Sequence, residues 1–438
     1  MPTSSPATAD AIAVADTPRA GWAPWWLLAC IVAWPWPAPA NVVVSLGAIF
    51  VTAWLGLRRF RGGDALLSRE AWALSSALFF SYWLPELFSC VGALDARRTV
   101  YEVLAGLRFL PLLWLAAIAV HRDRDRRIMY GGIAVIATLW ALDGLLQALT
   151  GHSLGGAANV EAGSGVIRIS GIFGAHHPHL GQVLASLAAF PLGWAWRRAG
   201  VSGWLAAAAL LGVVVVLSGS RAALLTLVLV LLFSGWRRLG WKRLLAVFAV
   251  GAVAIAALGI AFPRELHDRI TRSEAVFAGG LAGLDTASNG RIRIWGAALC
   301  MAREHPVAGV GVRGYRDAYA RCAPAMPTPP PWGEGGALHA HQIVLEVLSE
   351  TGMIGLMLWL IGAALAIRAW RCADAAARNR AAIPALALAV TVFPLNTHLA
   401  FYSSFWGGVM LVLVGLYVGA LFGEDTPAVA EPPARKAA

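Results

Sequence analysis

The stretch HAHQIVLEVLSETGMIGLMLWLIGAALAI, His339 to Ile367, decides the fold. Beyond Glu350 it carries no charge until Arg368 and is apolar on every side, long enough to cross a hydrocarbon core of roughly 30 Å as an α-helix. Similar runs recur from Pro24 to Phe422, in a chain of 438 residues that is 58% hydrophobic, 13% charged and of mean hydropathy +0.66. Those values lie outside the range of soluble globular domains. The runs lack the period-two alternation of barrel strands, so the expected fold is an all-α polytopic membrane protein.

Twelve spans are read, at 25–40, 41–57, 71–91, 100–120, 128–150, 180–197, 203–218, 222–236, 243–262, 342–368, 381–396 and 404–422. The chain thus divides into a cytoplasmic tail 1–24, nine spans over 25–262, one large periplasmic loop module 263–341, three spans over 342–422 and a cytoplasmic tail 423–438. Trp34-Pro35-Trp36-Pro37 interrupts the first run, so 25–57 reads equally as a hairpin or a partly re-entrant pair. The first 24 residues lack a basic n-region and a small-residue cleavage site, so no removed signal peptide is expected.

Short basic loops, RRFRGGDALLSR (58–69), HRDRDRR (121–127) and WRRLGWKR (236–243), set the orientation, with both termini on the cytoplasmic side. The formal charge of +11 is largely this topological signal and calls for no nucleic acid partner. The five cysteines are scattered and form no CxxC pair, so they make neither a metal nor a disulfide framework. Cys300 and Cys322 alone share the large external segment, where a bridge is open to them if that face is oxidising.

Within the module, Asn289 to Arg303 reads as an amphipathic helix with Ile292, Trp295 and Leu299 at helical spacing. GVGVRGYRDAYARC (309–322) reads as a glycine turn and a second helix, and PTPPPWGEGG (327–336) as an irregular return to the membrane. Cations on this face are exceptions to the charge rule: Arg168 in RISGIFGAHHPH, Arg221 after Ser-Gly-Ser, and Arg291 and Arg293 at a helix start. Arg108 lies inside a span. An arginine at such depth costs several kcal/mol unless it meets water or a partner. Snorkelling to headgroups is the competing explanation, given equal weight for Arg97, Arg98, Arg264 and Arg269.

If the helix runs from His341, then Leu348, Gly352 and Gly355 fall within about 40° of the imidazole face. Glycines there would admit a backbone or a lipid chain. Gln342, Glu346 and Ser349/Glu350 form a separate polar stripe whose carboxylates need partners, the external arginines being candidates. His341 alone reads equally as an interfacial polar residue. His176, His177, His179, His339 and His341 could converge on a metal, but no carboxylate or cysteine stands at ligand spacing, and no metal is expected.

His341-Gln342, nine residues, then Gly352-Met353-Ile354-Gly355 resembles the His-(Asn/Ser/Gln)-x9-Gly-x-x-(Gly/Thr/Tyr) signature of the bacterial O-antigen ligase family. Arg168-Ile-Ser-Gly-Ile-Phe-Gly, Ser218-Gly-Ser-Arg221-Ala, and Asn289-Gly-Arg291 followed by Trp295 and His305-Pro-Val-Ala-Gly-Val-Gly agree with the wider ligase and polymerase superfamily. The resemblance implies transfer of an O-antigen glycan from undecaprenyl pyrophosphate to lipid A-core at the periplasmic face of the inner membrane, with inversion and with neither a metal nor another cofactor. Membrane lipids are the remaining partner.

On that resemblance Arg221 and Arg291 are the expected pyrophosphate clamp, because guanidinium stays protonated and binds phosphate bidentately. His341 is the expected general base, since a neutral imidazole suits removal of a sugar hydroxyl proton. Arg168, Arg293, His339, Gln342, Gly352 and Gly355 complete the expected substrate-binding set, with Trp295, Tyr315 and Trp332 as sugar platforms. The nearest alternatives share the donor: an O-antigen polymerase, or an oligosaccharyltransferase acting on protein. A lipid-linked glycan transporter would instead place charges deep in several spans along one route.

Overall fold

The computed structural model describes residues 20–157, 159–160, 167–175, 179–261, 280–324, 336–397 and 400–425. His176, His177 and Trp332, with Arg264, Arg269 and most of both tails, lie outside the described residues. Helices follow in the order α1 (Ala23–Val32), α2 (Pro37–Phe60), α3 (Arg69–Ser89), α4 (Ala96–Gly106), α5 (Phe109–His121), α6 (Asp123–Thr150), α7 (Leu180–Leu187), α8 (Ala189–Leu217), α9 (Arg221–Leu239) and α10 (Trp241–Ala261). Then come α11 (Gly280–Ala287), α12 (Arg291–Glu304), α13 (Tyr315–Cys322), α14 (Ile343–Cys372), α15 (Ala375–Thr391) and α16 (Ser404–Leu421). Two short antiparallel hairpins, His152–Ser153 with Gly156–Ala157 and Asn159–Val160 with Ile167–Arg168, follow α6.

Among the described residues, eight helices are long and apolar enough to cross a membrane, where the sequence suggested twelve spans. Part of the difference has local causes. α1 stops after 10 residues before Trp34-Pro35-Trp36-Pro37, and α15 has 17 residues. The expected spans 180–197 and 203–218 fall on the 8-residue α7 and on α8, which breaks at Ala199–Gly200. The centre of the bundle is α16, 89% of whose apolar window is buried. Gly415 and Gly419 let it close on α5: a Cβ there would stand 2.5 Å from the Leu113 carbonyl oxygen and 2.1 Å from that of Ala117.

Arg108, the cation inside a span, lies where α4 gives way to α5. Its Nη2 donates to Asn41 Oδ1 at 2.9 Å and its Nη1 to Ser45 Oγ at 3.4 Å, so α2 supplies the polar partners that the hydrocarbon does not.

The helices between α10 and α14 have a core of their own, built from Ile294, Ala297, Ala298 and Met301 of α12, Val310, Tyr315, Ala318, Tyr319 and Cys322 around α13, and Ala337 and Ala340. α12 therefore buries a different face from the one expected: Leu299 is exposed and Ile292 and Trp295 only half-buried, because the small residues Ala297 and Ala298 let α13 approach. Cys300 and Cys322 are joined by a disulfide that ties α12 to α13.

The module is fastened to the membrane bundle at a break in α14. Gly352 takes φ +64° there, a conformation that disfavours any side chain. Around the break the segment after α12 supplies backbone partners: Met353 N–H donates to Pro306 O at 2.8 Å and Ile354 N–H to Val307 O at 3.2 Å. In return Val310 N–H donates to Ser349 O at 2.9 Å and Gly311 N–H to Glu350 O at 3.0 Å. A Cβ on Gly352 would stand 2.3 Å from the Val307 carbonyl oxygen. Gly352→Ala is expected to destabilise the protein by at least about 1 kcal/mol through its backbone alone, read as a lower melting midpoint in detergent. Met353→Ala, at a side chain 42% exposed, should leave the midpoint near wild type.

Candidate functional site

Arg221 opens α9. Ser220 caps the helix, its Oγ accepting from Ala223 N–H at 3.2 Å, and Gly219, at φ +72°, turns the chain out of α8. From there Arg221 Nη1 donates to Ala287 O at 2.8 Å, at the end of α11. Asn289 and Gly290, both left-handed, then reverse the chain into α12. Asp285 locks this reversal, accepting from Arg293 N–H at 3.0 Å through Oδ1 and from Arg293 Nε at 2.6 Å through Oδ2. Arg291, the first residue of α12, is thereby set beside Arg221 and donates to the Thr397 carbonyl in the loop before α16. Burial and the adjacent Arg221 charge depress Arg291 to about 10. Two guanidiniums held this close favour an anion between them.

The histidines arrive from a third direction. Ala337 and Ala340 are anchored in the small core of α12 and α13, which fixes the irregular approach to α14 and leaves His339 and His341 half-buried beside it. Their rings lie 3.8 Å apart between centroids. His341 precedes the helix, with φ +54°, and Gln342 caps α14 by accepting from Leu345 N–H at 2.6 Å. This corrects the helical-face reading. Since the helix starts at Ile343 and breaks at Gly352, the positions of Gly352 and Gly355 bear no fixed angle to His341.

His339 ties the groups together. Burial, then the charges of Arg313, Arg291 and Arg316 and the imidazole of His179, push it down to about 3. His179, just before α7, stacks on Phe405 at 5.0 Å between centroids. Arg168 approaches from the second hairpin and lies along the 218–221 turn, where a Cβ on Gly219 would stand 3.2 Å from its Nε. That segment is placed by Gln147, a polar residue near the end of α6, whose Oε1 accepts from the N–H groups of Ser170 and Gly171 at 2.8 Å each.

The structure therefore gathers Arg168, Arg221, Arg291, His339 and His341. Other expected contributors are engaged elsewhere. Arg293 is buried against Asp285, and Gln342 serves as a helix cap. Gly352 meets the Val307 backbone, and Gly355 faces Thr351 and Pro85, so neither offers its surface to a lipid chain. Tyr315 is wholly buried, its hydroxyl donating to Ile294 O at 2.6 Å, which removes it as a sugar platform. Glu350 accepts from the backbone N–H of Arg313 at 2.9 Å, and Glu346 from that of Tyr402 at 3.4 Å, rather than from guanidiniums.

Two residues whose charges act on His339, Arg313 and Arg316, were not singled out from the sequence, and His179 entered there only among the histidines weighed as metal ligands. Arg313 and Arg316 had one available signal, as cations on the external face within a glycine-rich turn. Among the described residues the non-glycine positions with left-handed backbone are Asn289, Arg313 and His341. All three adjoin the cluster, and such strain gathers where surroundings force a side chain into place.

These features define a polytopic membrane protein with a cationic, histidine-bearing site at one end of its helices. Residues 206–360 match the family model described as O-antigen ligase. The match takes in Arg221, Arg291, Arg313, Arg316, His339 and His341, while Arg168 and His179 precede it. No curated protein matches the chain.

The position of His339 has a pH consequence. Its folded pKa is depressed, so it stabilises the fold fully above the ordinary histidine range near 6.5, and that contribution fades as pH falls toward about 3. His339→Gln should therefore lose less of its detergent melting midpoint than wild type on going from about pH 7 to about pH 5.

Proposed function

We propose that this protein is a glycosyltransferase that ligates O-antigen glycan from undecaprenyl pyrophosphate to lipid A-core, at the periplasmic face of the bacterial inner membrane. The observation that carries the reading is the meeting of Arg221, Arg291 and the His339–His341 pair, brought from three distant parts of the chain to the ends of membrane helices. Both substrates are lipid-anchored, and this is where their reacting groups would be reached. The topology that goes with the reading has twelve crossings, several of them on short or broken helices, with both termini cytoplasmic. The Cys300–Cys322 bridge supports an oxidising compartment for the module.

In the reaction, His341 takes the proton of the acceptor hydroxyl as its oxygen attacks the anomeric carbon. The bond from that carbon to the pyrophosphate oxygen breaks, the configuration inverts, and undecaprenyl pyrophosphate leaves with the bonding electrons. Arg221 and Arg291 hold the pyrophosphate and stabilise the charge developing on it, a task that positioned cations perform without a divalent ion. Arg168 lies close enough to the 218–221 turn to steady the same group. General-base assistance of this kind is typically worth about 10²- to 10⁴-fold.

The test is transfer by purified protein, with undecaprenyl-pyrophosphate glycan and lipid A-core, in EDTA and without ATP. Product joined to core supports ligation; glycan extended without core attached would mark a polymerase. His341→Ala should lose about 10²-fold or more in rate while still binding donor. Arg221→Ala and Arg291→Ala should weaken donor use, with Lys restoring it only in part, since a point charge lacks the fork of guanidinium. A His341→Ala protein that transfers at the wild-type rate rules out the base assignment. Alkylation of intact cells should leave Cys300 and Cys322 unmodified until a reductant is added.

A further inference from the structure

Arg221 opens α9 and Leu239 closes it, and at that far end the chain carries a second group of cations that the proposed reaction does not use. Two tight reversals meet there. At Ala199–Gly200 α8 folds back so sharply that a Cβ on Gly203 would stand 2.4 Å from the Ala195 carbonyl oxygen. At Gly240, with φ +74°, α9 turns into α10. Gly235 lets the second reversal close on the first arm's neighbour: a Cβ there would stand 2.8 Å from Leu244 Cδ1 and 3.2 Å from the ring of Trp204. Arg238 spans the gap, its guanidinium carbon 5.3 Å from the Trp196 ring centroid.

Arg197 and Arg198 flank the first reversal, and Arg237, Arg238, Lys242 and Arg243 the second; all but the half-buried Arg238 are exposed. What sets this cluster apart is its lack of carboxylates. The chain has no aspartate or glutamate between Glu161 and Glu265, and among the described residues none of the six cations makes an ion pair. The other basic loops carry acids of their own: Asp64 and Glu70 within 58–70, Asp374 within 368–380, and Asp123, which takes Arg126 at 3.1 Å and Arg127 at 2.7 Å. Asp425 further joins Arg126 and Arg380, at 2.9 Å and 2.5 Å. Orientation in the membrane accounts for a basic loop, but not for the absence here of the counter-charges found in the others.

The aromatic residues point to what supplies the missing charge. Trp236 and Trp241 are exposed, 5.8 Å apart between centroids, and indole rings placed so at helix ends sit at the level of lipid headgroups. Arg198 lies over Trp194 at 5.1 Å, which occupies one face of the guanidinium and leaves its N–H edge for an acceptor. Phe233 and Leu245, both exposed beside the second reversal, offer apolar surface to acyl chains. We propose that the paired reversals form a binding site for an anionic phospholipid, its phosphate held by Arg197, Arg198, Arg237, Lys242 and Arg243. The site is independent of the chemistry at the other end of α9.

The experiment titrates the whole chain in neutral detergent with phosphatidylglycerol or phosphatidylcholine and follows each bound lipid by native mass spectrometry. Wild type should bind its first phosphatidylglycerol more tightly than phosphatidylcholine, and that lipid should raise the melting midpoint. Arg198→Gln/Arg237→Gln and Lys242→Gln/Arg243→Gln should each weaken the first phosphatidylglycerol by at least about tenfold, because one cation near a membrane surface is worth roughly fivefold toward an anionic lipid. Phosphatidylcholine binding should not change. Arg198→Lys/Arg237→Lys, which keeps the charge, should retain most of the affinity. Arg59→Gln/Arg61→Gln removes two exposed cations from the acid-bearing 58–70 loop and should match wild type. Equal loss in that last variant would reduce the preference to overall surface charge and overturn the site. So would wild-type indifference between the two lipids, or displacement of phosphatidylglycerol by inorganic phosphate, which would assign the cluster to a soluble anion. A Gln variant that melts like wild type without lipid, yet gains no stability from phosphatidylglycerol, supports the site apart from any loss of fold.

Discussion

The break in α14 at Gly352 is the constraint on which the rest of the molecule depends. An unbroken helix would satisfy its own backbone and leave the external segment no purchase on it. Interrupted, it leaves the carbonyls of Ser349 and Glu350 and the amides of Met353 and Ile354 in need of partners from outside the helix. Pro306, Val307, Val310 and Gly311 supply the missing partners. One set of bonds thus heals the helix and clamps the external module to the bundle. Gly309 is required by the same contact, since a Cβ there would stand 2.4 Å from the Glu350 carbonyl oxygen, while one at Gly311 would stand 2.7 Å from the Ala93 Cβ.

From that clamp the geometry of the cationic cluster follows. Gly311 leads directly into Arg313, whose amide is bound by Glu350, and Val312 N–H donates to Ser89 Oγ at 3.2 Å at the end of α3. α12 and α13, tied by Cys300–Cys322 and packed on their own core, hold Ala337 and Ala340 and so the two histidines between them. The reversal at Asn289–Gly290 closes the other side and sets Arg291 against Arg221. Like charges gathered in a partly buried place oppose folding, and the protein offsets this with a buried Asp285–Arg293 pair, helix caps at Ser220 and Gln342, and a carbonyl for each clamp arginine. The left-handed backbones of Asn289, Arg313 and His341 belong to the same pattern, since each is enforced by packing beyond its own turn.

Polar residues near the ends of membrane helices do much of the organising. Gln147 clamps the segment that carries Arg168, and Asp143, one turn earlier, accepts from Leu154 N–H at 2.9 Å. Neither meets a substrate in the proposed reaction. They mark the depth at which the chain passes from self-satisfied helix to irregular backbone that needs outside partners. The same holds for Asn41 and Ser45, which let Arg108 persist between α4 and α5.

The sequence by itself determined what depends on composition and local pattern. Apolar run length required a helical membrane protein, and short motifs around Arg221, Arg291 and His341 named residues that the fold sets near one another. Turn chemistry around Ser218–Ser220 and Asn289–Gly290 was equally local and equally legible. Only the tertiary structure decided the rest, because it turns on contacts between distant segments. No local pattern shows that Gly352 breaks its helix, since a glycine among apolar residues also suits a straight one; the Val307 carbonyl pressed against it decides the matter. Nor does spacing reveal that Arg293 belongs to Asp285 or that Tyr315 is sealed in a core. A charge declares its sign in the sequence, but whether it is consumed by a partner or left for a ligand depends on which other segment arrives beside it.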